Sequence, residues 1–166
     1  MNGNCHLVFG AATGTAVCLL LKTDAATSSA IISTCLIGSL LPDIDNPESH
    51  IAKLTVPVSS LIGKISEAFG KTGWNHRGIF HSILPYLLGL YLSFTRFRPI
   101  LGLFIGALSH LFLDSFNPSG IPVLFGFKRL RFAKIASGSV SGIILTWMFT
   151  FLIVLSAVYI RYIFLT

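Results

Sequence analysis

Imidazoles and carboxylates are the side chains here that could hold a metal ion or move a proton, and they are few and grouped. Four of the five histidines and three of the six acidic residues fall in four clusters: His6, Asp43 with Asp45, His76 with His81, and His110 with Asp114. His110 and Asp114 are spaced i,i+4, so on a helix they project from one face, about one turn apart. Asp43 and Asp45 follow Pro42; if the segment is extended, alternate residues share a face and both carboxylates reach one ion or bridge two. Two carboxylates this close repel unless a cation or proton lies between them. His76 and His81 bracket Arg77 and Gly78, and a turn at Gly78 would bring both rings toward one centre.

This pool of imidazole and carboxylate ligands, with no thiolate, suits zinc, manganese or iron. Seven candidates exceed the needs of one catalytic zinc, so the expectation is one or two ions, two being usual in phosphoesterases. Cys5, Cys18 and Cys35 are scattered and form neither a CxxC site nor a disulfide framework. Each cluster taken alone has a plainer reading: His6 and the His76/His81 pair as interfacial residues, Asp43-x-Asp45 as a turn signature. His110 with Asp114 resists that treatment, because an ionisable pair inside an apolar helix must be satisfied by something. His50, in the loop 46–50, reads as a solvated residue.

The elements that must position these clusters are apolar. The chain of 166 residues is 53% hydrophobic and only 11% charged, with a mean hydropathy of +0.79. An average soluble chain is about 25% charged, so the expectation is a single-domain (1–166), all-α, integral membrane helical bundle. Five apolar segments emerge, from near Cys5 to Leu21, Ala25 to Leu41, Ile79 to Phe94, Pro99 to Phe116 and Val140 to Phe164. A bilayer crossing needs about 20 residues; the first four are short or marginal and the fifth is comfortable. The first lacks a basic run before it and a small-residue cleavage site after it, so it is expected to be a retained helix.

Between Ile51 and Lys71 the apolar residues Ile51, Leu54, Val58, Leu61, Ile62, Ile65 and Phe69 recur at helical spacing. This predicts one amphipathic surface helix. Residues 117–137 read as a long Pro- and Gly-containing loop carrying Lys128, Arg129, Arg131 and Lys134. If each apolar segment crosses once, all four clusters land on one side. That side holds Lys53, Lys64, Lys71, Arg77, Lys128, Arg129, Arg131 and Lys134, against Lys22, Arg96, Arg98 and Arg161 opposite. The bias predicts a multi-pass protein with its metal site facing the cytoplasm. It also makes the net charge of +6 a matter of topology rather than of direct nucleic-acid binding.

Two rows of small residues lead to the clusters. Gly102 and Gly106 continue the i,i+4 row of His110 and Asp114, and His6, Gly10 and Gly14 make an equivalent row on the first helix. Such stripes let a neighbouring helix approach closely.

The chain resembles the LexA-binding, inner-membrane-associated family of metal-dependent hydrolases over nearly its whole length. The resemblance rests on His6 with Gly10, on Leu41–Pro42–Asp43–Ile44–Asp45, on His76–Arg77–Gly78 with His81–Ser82, and on Ser109–His110 with Asp114. It implies an inner (plasma) membrane location and metal-dependent hydrolysis akin to zinc phospholipase C-type enzymes. The leading expectation is a hydrolase of a phosphoester or phospholipid, the lipids of the membrane being its surroundings. Asp43, Asp45, His81, His110 and Asp114 head the metal ligands, followed by His6 and His76. Asp43 or Asp45 would act as general base, and Arg77 would hold a phosphate oxygen, with Lys128 or Arg129 in reserve. Two other readings stand beside it: a metal or proton-coupled transporter, and a non-catalytic regulatory membrane protein whose metal is structural and whose loops bind a cytoplasmic partner such as a repressor.

Overall fold

The computed structural model describes residues 2–46, 49–58, 60–61, 64, 79–96, 100–123 and 129–164. The chain is mostly helical: α1 (Gly3–Leu21), α2 (Ala25–Gly38), a 3-10 turn (Leu41–Asp45), α3 (His50–Leu54), a second 3-10 turn (Ile79–His81), α4 (Ile83–Arg96), α5 (Leu101–Asp114) and α6 (Val140–Phe164). A two-stranded antiparallel ribbon, β1 (Ile121–Pro122) with β2 (Arg129–Leu130), interrupts the loop after α5. The expectation of a helical chain holds, and the ribbon is a short addition to it. Strands of two residues leave no alternating apolar pattern by which to read them.

Local chemistry sets the helix ends. The Asn2 side chain accepts from the Cys5 N–H at the start of α1. Asp24 caps α2 by accepting from the amides of Ala26 and Thr27, satisfying donors that have no partner within the helix. Lys22 adopts a left-handed conformation (φ 51°) and closes α1 through an N–H bond to Cys18 O. Pro85 lies in the first turn of α4, where a missing N–H costs nothing.

Buried α5 is the centre of the molecule and packs against α1, α2 and α4, while α1 also packs against α2 and α6. One apolar cluster joins Cys5, Phe9 and Leu113 to Phe116, Leu145, Phe149 and Ile153. Another joins Tyr86, Ala107, Leu111 and Ile121 to Phe104, Leu108 and Leu130. The seam between α2 and α5 is made of backbone. A Cβ added at Gly106 would overlap the Cys35 carbonyl, one at Gly102 the Ile31 carbonyl, and one at Gly38 the Leu103 carbonyl. On α1, Gly10 and Gly14 face Ser39 and Cys35, and the fully buried Cys35 donates its thiol to Gly10 O at 3.1 Å. Both predicted glycine rows therefore meet α2.

Among the described residues two helices, α1 and residues 140–163 of α6, are long and apolar enough to cross a membrane; Ala25–Gly38, Ile83–Phe94 and Leu101–Asp114 are shorter. Large apolar side chains stand exposed along α6, among them Ile144, Phe151 and Tyr159, and along α4, among them Leu88, Tyr91 and Phe94. Such faces are unfavourable in water and suited to lipid. Of the surface helix expected over 51–71, α3 is helical and helical turns resume at 56–58, after a bend at Thr55. There Leu54, Val56 and Val58 are exposed, as an interfacial segment requires. Residues 62–63 and 65–71 lie outside the described residues.

Candidate metal centre

Five of the seven predicted ligands converge. His6 comes from α1, Asp43 from the first 3-10 turn, His81 from the second, and His110 and Asp114 from the last turns of α5. His6, His81, His110 and Asp114 have side chains at most 3% exposed, whereas Asp43 keeps 23%. The site is thus a buried cluster with one carboxylate at its opening.

The distances describe a cage. Asp43 Oδ1 lies 3.4 Å from His81 Nε2 and 3.8 Å from His110 Nε2. Asp114 Oδ2 lies 3.9 Å from His81 Nε2 and 3.8 Å from His110 Nε2. Donors 2.0–2.1 Å from a tetrahedral zinc lie about 3.4 Å apart, so these separations are close to those of atoms sharing one ion. Asp114 Oδ1 faces the other way, 3.4 Å from His6 Nε2. The ligand atoms form two groups of metal-binding size, Asp43/His81/His110 and His6/His110/Asp114. The His6 ring stacks on His110 at 3.7 Å between centroids, 12° from parallel.

The tautomer of His110 is fixed by the α2 seam. His110 Nδ1 lies 2.7 Å from Ser39 O, and a carbonyl can only accept, so Nδ1 carries the proton. Ser39 is the C-cap of α2, where helix carbonyls lack an internal partner. Nε2 of the neutral ring is then a bare lone pair. It is buried, has no hydrogen-bond partner, and faces two carboxylate oxygens that are also acceptors. Acceptors converging on one buried point are unfavourable unless a cation occupies it. The donor set therefore fits a divalent ion, with the Ser39 carbonyl as the outer group that orients a ligating histidine.

Burial alone would raise the pKa of Asp43. The imidazoles of His81, His110 and His6 that surround it outweigh burial and hold the carboxyl below the usual range. The site favours an anionic Asp43, the form that ligates metal.

Asn117 was missed by the sequence reading. It is 1% exposed, and its Nδ2 donates to Asp114 Oδ1 at 2.5 Å; its Oδ1 accepts from Ser137 Oγ at 3.4 Å. The available signal was its i,i+3 spacing from Asp114 in an Asn-Pro-Ser-Gly run that reads as an ordinary helix end. The second turn is pinned by its neighbours: Tyr86 Oη donates to Phe80 O at 2.7 Å, and Ser82 Oγ donates to Val123 O at 3.3 Å.

Other expectations meet the structure differently. Residues 41–45 form a 3-10 turn, not an extended segment. Positions i and i+3 eclipse there, so the alternate-face argument pairing Asp43 with Asp45 does not hold. The Asp45 side chain lies outside the described residues, as do His76, Arg77 and Lys128. His50 begins α3 rather than lying in a loop. Arg129 and Arg131 are exposed on the ribbon side, where their guanidinium groups donate to Ser119 O and Pro118 O.

The chain has relatives in several bacteria. It is 30% identical over 125 residues to protein YvsG of Bacillus subtilis (strain 168), covering 75% of this chain and 73% of that protein. It is 33% identical over 103 residues to inner membrane protein YdjM of Escherichia coli (strain K12) and to that of Shigella flexneri, covering 57% of this chain and 48% of each of theirs. The match thus spans about half the length of the YdjM proteins. No solved structure matches the chain. With residues 1–164 matching that family, the chain belongs to the YdjM inner membrane proteins.

Proposed function

We propose that this protein is a multi-pass, membrane-embedded, metal-dependent hydrolase of phosphoesters, with its centre facing the cytoplasm. The observation that carries the proposal is the buried Nε2 lone pair of His110, held by Ser39 O against Asp43 and Asp114. Asp43, His81 and His110 would hold one ion, zinc first and manganese or iron next. His6 with Asp114 Oδ1 offers a second position.

When bound, the ion would supply Lewis acidity, lowering the pKa of a water and polarising a phosphoryl oxygen. The chain's own residues do the rest. A carboxylate of the candidate set that is not bound to the ion takes the proton from the attacking water. The water oxygen bonds to phosphorus, the ester P–O bond breaks, and the proton passes to the departing alkoxide. Asp45 and His76 complete the candidate set read from the sequence, and Arg77 holds a phosphate oxygen. The partial exposure of Asp43 favours catalysis over a purely structural metal, because structural sites are closed by protein ligands. Transport is disfavoured by the stretch Leu101–Leu108, which carries no ionisable side chain toward the far end of α5.

Metal analysis of the purified protein, beside His110→Ala and Asp114→Ala, tests the centre. We expect near-stoichiometric divalent metal in the parent and at least a tenfold loss in both variants. Unchanged metal content in both would sink the proposal. A screen of phospholipids and soluble phosphoesters then tests the chemistry: turnover abolished by chelator and restored by zinc is expected.

A further inference from the structure

Three of the converging side chains, His6, His110 and Asp114, stand on helices of 19 and 14 residues, whose hydrogen-bond ladders fix the backbone beneath them. The other two, Asp43 and His81, stand on 3-10 turns of five and three residues, where hydrogen-bond geometry is poorer and the ladder is short. In both turns a hydroxyl six residues downstream donates to a turn carbonyl. Tyr86 Oη reaches Phe80 O at 2.7 Å, and Ser49 Oγ reaches Asp43 O at 2.7 Å. We infer that Ser49 is a positioning residue of the metal centre: its hydroxyl holds the peptide of Asp43 and so aims that carboxylate at His81 and His110. The inference rests on the metal centre proposed above and not on the reaction assigned to it.

One hydroxyl does two jobs here. A serine has one proton to donate and two lone pairs with which to accept. Ser49 gives the proton to Asp43 O and, as the N-cap of α3, accepts the Ala52 N–H at 3.1 Å. Asp43 O also accepts the Asn46 N–H at 3.0 Å. Both lone pairs of that carbonyl are therefore filled, and the peptide cannot turn without breaking two bonds. The support is firm at its other end. Ala52 is 2% exposed, and the Ser49 carbonyl accepts the Lys53 N–H at 3.2 Å. The seated helix α3 thus grips the backbone of the ligand.

Asp43 is the ligand that depends most on such a grip. Its side chain is 23% exposed, whereas those of the other four are at most 3% exposed. Packed walls hold the buried four from all sides. At the opening of the cluster the direction of a carboxylate is set chiefly by its own backbone. Metal–oxygen bonds of about 2.0–2.2 Å leave little tolerance for a turn that rocks.

Three substitutions in the full-length protein in detergent separate the tether from the helix cap. Glycine starts a helix nearly as well as serine but offers no hydroxyl, and alanine does neither. Threonine does both. Competition with a zinc-binding dye should show at least a tenfold loss of affinity in Ser49→Gly and Ser49→Ala, the scale usual for groups that orient ligands. Ser49→Thr should stay within about twofold of the parent. Cobalt in place of zinc adds a spectroscopic signature, because its visible bands follow the ligand set. Those bands should change in Ser49→Gly and be kept in Ser49→Thr. Hydrogen exchange on the metal-free protein reads the tether itself: the Asp43 and Asn46 amides should exchange at least fivefold faster in Ser49→Gly, with the α1 and α5 amides unmoved.

Parent-like affinity and cobalt bands in Ser49→Gly would overturn the inference. So would an equal loss in Ser49→Thr, or faster exchange throughout the chain, either of which makes Ser49 a general structural residue. A parent that takes up no metal overturns both this inference and the centre beneath it. A parent that binds metal but hydrolyses nothing breaks the hydrolase reading alone and leaves the role of Ser49 standing.

Discussion

The α1/α2/α5 half of the molecule and the α4/α6 half are both apolar, yet they are built on opposite principles. In the first, glycines remove side chains so that backbones touch, and nearly every position is committed: Gly38, Gly102 and Gly106 each leave no room for a Cβ. In the second, long side chains such as Tyr91, Phe151 and Tyr159 point away from the protein. Close backbone contact is what places the Ser39 carbonyl against His110. Precision for the site comes from the glycine seam, and the outward helices supply membrane anchorage. Hydrophobicity by itself does not distinguish the two; side-chain size does.

The largest effect expected from testing this contrast is at the seam. Gly106→Leu drives a side chain into the Cys35 carbonyl and the Ser39 amide. It should abolish both the folded bundle and bound metal, read by circular dichroism and metal analysis in detergent. Gly106→Ala should still cost about 1–3 kcal/mol as an overpacking change, measured by denaturant unfolding. A Gly106→Ala protein as stable as the parent would break the account of the seam.

Next comes the support of the metal ligands. Asn117→Ala removes the amide that orients Asp114, and losses of 10–100-fold in metal affinity are usual for such outer groups. Competition with a zinc-binding dye gives the value; an affinity unchanged within twofold would remove Asn117 from the site. On the outward half, Phe151→Leu should change stability by less than about 0.5 kcal/mol in the same unfolding assay. A loss as large as that of Gly106→Ala would mean that α6 is held by side-chain packing after all.

The smallest effect concerns Asp24, fully exposed at the start of α2. The Thr27 hydroxyl and the Thr27 and Ala26 amides hold its carboxyl below the ordinary value. A depressed carboxylate contributes to stability above its unfolded value of about 3.9 and loses that contribution as pH falls through the folded value. Asp24→Asn keeps an acceptor without the charge. It should flatten a small decline in α2 stability below about pH 4, followed by thermal melts across the acid range.

Much of the site was legible because its residues are the wrong kind for their surroundings. His110/Asp114 declared itself by helical spacing, and His6, Asp43 and His81 by falling on the same side once crossings were counted. The helix limits were legible to within a few residues, and α6 was read with the bounds it has. What escaped depends on backbone or on partners distant in sequence. A 3-10 turn and an extended segment around Pro42 present the same residues, so the geometry of Asp43 could not be read. Ser39 acts through its carbonyl, which no side-chain pattern reports. Asn117 looks like a helix end until Asp114 is seen beside it.

The helices also differ in length, and a bilayer would have to respond. At 1.5 Å per residue, the 25 residues of α6 reach about 37 Å, while the 14 of α4 and of α5 reach about 21 Å. Hydrocarbon is about 30 Å thick, so α6 is long enough to cross it and α4 and α5 are not. A bilayer accommodates a hydrophobic helix that is too short by thinning around it. Thick bilayers should therefore be the harder ones for the short helices to enter, which reconstitution into lipids of graded chain length would read.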